Sequence, residues 1–263
     1  MTMERHLLIG GQLVEAASGR RTLDIDPFTG ETVATVAAAG PEDARRAVDA
    51  AAAAFEEWAA MPPTERRKLF IQAAVVLESR VQEVADLMTA ETGSIAGWGF
   101  FNVGFAAEIL REAAAQVTQP IGEVLTTSTP GNLSFALRQP AGVVAAFAPW
   151  NAPVILGIRA LAAPLAAGNT IVLKPSENAP ITAGLLLADI LSAAGFPPGV
   201  CNIVTTAPED APAVAEALIA DPRVRRVSFT GSTKVGRSIG EIAARNLTPA
   251  VLELGGKNSV IVL

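Results

Sequence analysis

The chain has 263 residues, half of them hydrophobic and 17% charged, a balance that describes a globular protein with a sizeable core and excludes disorder. A formal charge of −6 with dispersed Arg and Lys argues against nucleic acid, and one cysteine with one histidine argues against a disulfide framework or a metal centre. The one long apolar region, residues 141–173, is broken by Pro149, Asn151, Pro153, Arg159, Pro164 and Asn169, which would leave polar groups facing lipid, so no membrane span is expected. The first residues, "MTMERHLLIGG", lack a signal-peptide core, and the expected location is cytoplasmic.

In chain order, short strand-like pieces come first: "HLLIGGQLVE" turns at Gly10-Gly11, and "DPFTGETVATV" turns around Asp26-Pro27 and Gly30. Pro41 opens a helix with Ala44, Val48, Phe55 and Trp58 at helical spacing. A second helix runs through "PPTERRKLFIQAAVVLESR", with Thr64 as the expected N-cap. A third, around Phe100 to Val117, is apolar on more than one face and is expected to be buried. "IGEVLTTSTPGNLSFALRQPAGVV" then reads as a hairpin around Pro130-Gly131-Asn132.

From Gly142 onward strand and helix alternate. "VVAAFA", "TIVLKP", "CNIVT", "VRRVSFTG" and "PAVLELGG" read as strands, with helices between them ending at Gly168 and Gly195 in the first two cases. Repeated βα units with continuous apolar strands predict a Rossmann-like parallel sheet flanked by helices, whose ligands bind beyond the carboxyl ends of the strands.

Four stretches sit at such ends. In "FTGSTKVGRSIG" the Gly231-x4-Gly236 spacing departs from the usual dinucleotide fingerprint, but Gly231 and the Ser232-Thr233 helix start could receive a phosphate; the plainer reading is an ordinary capped helix. "LKPSENAP" places Lys174 and Glu177 where they could hold ribose hydroxyls or be solvated surface. "APWNAP" offers the Asn151 amide for a developing oxyanion, against a simple helix cap. "LELGGK" puts Glu253 at the end of an apolar strand, where a raised pKa would suit a general base, against a strand-end acid facing water.

Together, in this order and spacing, "PWN", "KPSE", "FTGS" and "ELGGK" resemble the NAD(P)-dependent aldehyde dehydrogenase superfamily, and the resemblance extends from "DPFTGE" nearly to the end of the chain. Its longest stretch, "PWNAPVILGIRALAAPLAAGNTIVLKPSE", is most similar to the branch acting on aromatic aldehydes such as salicylaldehyde, vanillin or benzaldehyde. The resemblance implies Asn151 as the oxyanion amide and Glu253 as the general base. It implies Lys174 and Glu177 as ribose contacts, and Gly231 and Ser232 at the pyrophosphate. Pro212 and Val235 would wall the adenine slot, and Gly255 and Gly256 would form the flexible pair beside the nicotinamide. Trp150, Ser176 and Leu254 belong to the same cofactor-binding motifs. The match is incomplete around Ala211, where relatives commonly carry glycine. Glu177 would repel a 2′-phosphate and so favours NAD, with NADP left open. Arg159, eight residues after Asn151, and Trp98 are candidate substrate contacts.

The resemblance further implies oxidation of an aldehyde through a cysteine thioester, with the nucleophilic cysteine a few dozen residues past the "ELGGK" glutamate. The only cysteine, Cys201, lies in an apolar strand and is expected to be structural. The expected organisation is 1–117 as N-terminal strands and helices of the cofactor-binding domain and 118–140 as an oligomerisation hairpin. Residues 141–257 would be the NAD-binding domain and 258–263 the first strand of a truncated catalytic domain. The chain is then an inactive piece of a dehydrogenase that assembles as a homo-dimer or homo-tetramer; the alternative is a stand-alone dinucleotide-binding module without turnover.

Overall fold

The computed structural model describes residues 3–262. The N-terminal strands are β1 (Met3–Arg5), β2 (Leu7–Ile9), β3 (Gln12–Val14), β4 (Arg21–Ile25) and β5 (Thr32–Ala37). The turn between β2 and β3 is made by Gly10 and Gly11, with φ of 63° and 78°, the left-handed pair that matches strand twist in a two-residue hairpin loop. Four helices follow: α1 (Pro41–Ala60), α2 (Pro63–Ser79), α3 (Val81–Thr92) and α4 (Ala96–Gln116). Thr64 does not cap α2: the N-cap is Pro62 and Pro63 is the first helical residue, where a fixed φ and a missing N–H cost nothing. Helix α4 begins at Ala96, earlier than expected, and is buried on one face only; Trp98, Phe101 and Phe105 form an exposed, stacked aromatic row on another.

A hairpin of β6 (Gly122–Leu125) and β7 (Ser134–Leu137) forms a separate two-stranded sheet. Then come β8 (Val143–Ala148), α5 (Pro153–Ala166), β9 (Thr170–Pro175), a π-helical turn (Ile181–Leu185) running into α6 (Leu186–Ala193), and β10 (Cys201–Ile203). The chain continues through α7 (Ala211–Ile219), β11 (Val224–Gly231), α8 (Thr233–Arg245) and β12 (Ala250–Leu254). Residues 258–262, expected to start a strand, form none; Leu263 lies outside the described residues.

The main sheet has seven strands in the order β12-β11-β8-β9-β10-β2-β3. The five strands from β12 to β10 are parallel, and the β2–β3 hairpin closes one side antiparallel, an extension that strand periodicity alone did not reveal. A smaller sheet, β1-β5-β4, is tied to it where the Thr205 hydroxyl donates to the Ala37 carbonyl at 2.7 Å and the Ala39 N–H to the Thr205 carbonyl at 2.8 Å.

Side-chain alternation splits the core in two. Val144, Ala146, Ala148, Ile171 and Leu173 pack against α2 to α6 on one face, while Val143, Ala145, Phe147, Val172, Val227 and Phe229 pack against α1, α7 and α8 on the other. From β8 the chain winds through β9 and β10 to one side and later through β11 and β12 to the other. The strand order therefore reverses between β8 and β11, and a doubly wound sheet opens a crevice at such a point.

Candidate functional site

The residues following β8 and β11 flank that crevice. Asn151 lies past the end of β8, exposed, and does not cap α5, whose N-cap is Ala152; its side chain forms no hydrogen bond among the described residues. The backbone beside it is fixed from outside: Trp98 Nε1–H donates to the Asn151 carbonyl at 3.0 Å, so α4 helps to set the amide's position. Trp150 is half-exposed and lines a cleft of about 360 Å³ with Asp24, Glu91, Glu177 and Asn178.

Beyond β9, Lys174 is buried, a rare state for an ammonium without a partner. Its Nζ donates to the Pro175 carbonyl at 3.1 Å and to Glu177, which also accepts from the Thr206 hydroxyl at 3.2 Å. The pair is therefore built into the loop and is not solvated surface. Ser176 anchors the same loop, its N–H donating to the Ala148 carbonyl at 2.8 Å and its hydroxyl accepting from the Asn178 N–H at 3.3 Å.

At β11 the plainer reading of Ser232 holds: it is the N-cap of α8, its hydroxyl accepting from the Val235 N–H at 3.3 Å. Gly231 makes no tight turn. It ends the strand, and a Cβ there would come within 2.6 Å of the Phe229 ring, so it is glycine for close approach. Gly236, one turn into α8, would place a Cβ 2.4 Å from Leu254 Cδ2, so Leu254 seats directly on the helix. The Thr233 hydroxyl donates to the Gly255 carbonyl at 3.5 Å, which ties the end of β12 to the start of α8. Pro212 and Val235 are both exposed, in the first turns of α7 and α8, and an Arg245–Glu216 pair at 3.2 Å joins these helices.

Of the two readings of Glu253, the geometry shows the strand-end acid: it is exposed on the edge strand β12. The strand places it all the same. Glu253 is in register with Thr230, and Ala250 and Leu252 face the α8 side, so Val251 and Glu253 face the α5 side. Arg159 on α5 donates to the Thr230 hydroxyl at 3.0 Å, which fixes Arg159 on the same side. Glu253 therefore shares a face of the sheet with α5, the helix that Asn151 precedes. Lys174, Gly231 and Leu254, by alternation, fall on the other. Gly255 and Gly256 follow with open space where a Cβ would stand.

Cys201 is buried, and burial pushes its thiol up to about 12, which leaves no thiolate near neutrality. Sequence reasoning missed Asp24 and Glu91. Glu91 is fully enclosed and accepts from the N–H groups of Ile181 and Thr182 at 2.6 and 2.8 Å and from the Thr182 hydroxyl. An acid before a helix-ending Thr-Gly reads as surface, and only the fold brings it to the start of another helix.

A family model described as "Aldehyde dehydrogenase family" matches residues 13–263. Vanillin dehydrogenase of Pseudomonas sp. (strain HR199 / DSM 7063) is 55% identical over 98% of this chain and 53% of its own length. Salicylaldehyde dehydrogenase of Pseudomonas sp. (strain C18) is 40% identical over 99% of this chain and 54% of its own. The crystal structure of a salicylaldehyde dehydrogenase from Pseudomonas putida G7, complexed with salicylaldehyde, superposes with a TM-score of 0.95 at 39% identity, covering 97% of this chain and 52% of that one. The chain thus spans about half the length of the curated relatives it matches. With that match running from Leu13 through the crevice residues to the last residue, the chain belongs to the aldehyde dehydrogenase family.

Proposed function

We propose that this chain is the nucleotide-binding part of an enzyme that oxidises an aromatic aldehyde to the carboxylic acid, with NAD as the preferred cofactor. The observation that carries the reading is the division of labour across the sheet's carboxyl edge. On one face are the Lys174–Glu177 pair, its ammonium buried, and the start of α8, closely packed at Gly231 and Gly236; on the other is Glu253, on the side of α5, the helix that Asn151 precedes. The nucleotide fits this donor set. Lys174 and Glu177 would hold ribose hydroxyls, Ser232 with the α8 N-terminus the pyrophosphate, and Pro212 and Val235 the adenine faces. Trp150, Ser176, Leu254 and Gly255 would shape the path between them. Bound NAD supplies a hydride acceptor.

On the other face the Asn151 amide would donate to the oxygen that gains charge when an aldehyde carbonyl is attacked, and exposed Glu253 would take a proton from water. Trp98 would act as an aromatic wall and Arg159 as a contact for ring substituents. The cysteine thioester of the family's chemistry needs a thiolate that Cys201 does not provide, so the chain alone is expected to bind NAD without oxidising aldehydes. The whole enzyme would work as a homo-dimer or homo-tetramer.

The test is calorimetric titration of the purified chain with NAD, alongside Lys174→Ala. Saturable binding that Lys174→Ala weakens by roughly tenfold, about 1.4 kcal/mol, supports the reading. No NAD binding, or aldehyde-dependent NADH formation that survives Cys201→Ala, overturns it.

A further inference from the structure

We propose that Asn102 is a positioning residue for Asn151: it caps helix α5 from the neighbouring helix α4, and so leaves the Asn151 amide free at the carboxyl edge of the sheet.

A helix start leaves N–H groups without partners, and the residue before the helix ordinarily supplies a side-chain oxygen to one of them. The start of α5 has no such residue. Its N-cap is Ala152, which carries no side-chain oxygen, and Pro153, the first helical residue, has no N–H to satisfy. The next donors belong to Val154 and Ile155, both of them buried. Asn151 is the only one of residues 149–155 with an oxygen in its side chain, yet that side chain forms no hydrogen bond among the described residues.

The missing oxygen comes from another helix. Asn102 on α4 is fully buried, and its Oδ1 accepts from the Ile155 N–H at 3.3 Å. Ile155 is the third residue of α5, the ordinary target of a cap. The other end of the Asn102 amide is occupied too, Nδ2 donating to the Trp98 carbonyl at 3.0 Å. Trp98 in turn gives its indole N–H to the Asn151 carbonyl at 3.0 Å. One turn of α4 therefore holds residue 151 by its carbonyl and residue 155 by its N–H. Neither contact uses the Asn151 side chain.

That turn of α4 is seated firmly. Gly99, between Trp98 and Asn102, approaches α3 so closely that a Cβ would come within 2.7 Å of Ala85 Cα. The Trp98 ring stacks on Phe101 with centroids 5.2 Å apart, which fixes the plane of the donating N–H. Asparagine is otherwise a poor choice for a buried helix face, being a weak helix former whose amide loses water on burial. A leucine of similar size would serve packing alone. What the amide adds is an acceptor for Ile155 and a donor for Trp98.

An oxyanion is stabilised by donors fixed in place before the charge develops. Asn102 meets that need from a distance, because the backbone at 151 is held while the amide beyond it keeps its donor unbound. Without Asn102, the bare first turn of α5 would draw the Asn151 oxygen onto Val154 or Ile155. The inference rests on the reading of Asn151 as the oxyanion amide.

Its test contains neither nucleotide nor aldehyde, so it can fail while NAD binding succeeds, or the reverse. The purified chain is isotopically labelled at asparagine, and its side-chain amide resonances are compared with those of Asn102→Leu; Asn151→Asp identifies the Asn151 pair by removing it. In Asn102→Leu the Asn151 signals are expected to shift and to gain short proton contacts with the Val154 or Ile155 amides. Those of Asn169 and Asn202, held elsewhere, should stay in place. Adding Ala152→Ser gives α5 a local cap and should return the Asn151 signals to their original positions. A side chain at 102 that only filled space would show no such rescue. Should Asn102→Leu not fold, the double variant decides: a recovered fold with the original Asn151 signals supports the proposal, and failure to recover overturns it. Asn151 signals unmoved in Asn102→Leu, or still displaced in the double variant, also overturn it.

Discussion

A carboxylate at position 177 can discriminate between two nucleotides that differ by one phosphate. Glu177 is partly exposed at the cleft and carries its charge against Lys174 and Thr206. A 2′-phosphate brought to the ribose that this pair would hold meets a like charge, so NAD is expected to bind roughly ten- to a hundredfold more tightly than NADP, about 1.4–2.8 kcal/mol. Glu177→Gln should narrow that ratio by removing the repulsion and freeing Lys174 to meet the phosphate. Parallel titrations with both nucleotides measure it, and an unchanged ratio would remove Glu177 from the ribose site. Cys201 supplies a second residue-scale prediction. A thiol held at about 12 by burial should resist a disulfide reagent at pH 8 in the folded chain and react fully in denaturant. Its labelling rate therefore reports opening of β10, and Cys201→Ala should leave NAD binding unchanged.

At the scale of elements, the alternating half of the molecule was legible because its signals are local. Gly168 and Gly195 stop their helices with φ of 86° and 93°, and the strands between are unbroken apolar runs. The N-terminal half was less so. Helix α3 hides because α2 passes into it through Arg80 alone, with no glycine or proline to mark the joint. The small sheet hides because β1 pairs with β5 across some thirty residues, a pairing no local pattern encodes. The site divides the same way: Lys174, Ser232 and Asn151 stand at strand ends that the sequence marks, whereas the exposure of Glu253 depends on which helix covers an edge strand. Close packing between elements also leaves a testable trace. Gly157 on α5 faces the π-helical turn so closely that a Cβ would lie 2.8 Å from the Ala183 carbonyl and 2.3 Å from Leu187 Cδ1. Gly157→Ala must push the turn away from α5. It is expected to cost about 1–3 kcal/mol in denaturant melts despite alanine's better helix propensity, while Gly104→Ala, whose Cβ meets open space, should be neutral or stabilising.

At the scale of the whole molecule, what stands out is apolar surface without a cover. Among the described residues the β6–β7 hairpin joins no other sheet. Val124 is directly opposite Phe135 and Leu137 follows on the same side, with exposures of 69%, 57% and 62%. Val251 on the open face of β12 is 63% exposed, and Val260, Ile261 and Val262 are more than four-fifths exposed. Isolated two-stranded hairpins are marginal in water, and one with an apolar face and two free edges is stabilised by adding strands or by burying that face. The chain is therefore expected to self-associate, with the hairpin face as the main contact. Light scattering against concentration tests this, and Val124→Lys combined with Phe135→Glu supplies the control. The two positions are cross-strand partners, so an opposite-charge pair keeps the hairpin's register while removing its apolar face. A shift of the double variant toward monomer, with NAD affinity unchanged, assigns association to the hairpin. Association that persists unaltered points instead to the open edge at β12, where Val251 and the residues after Leu254 would then be the surface to substitute.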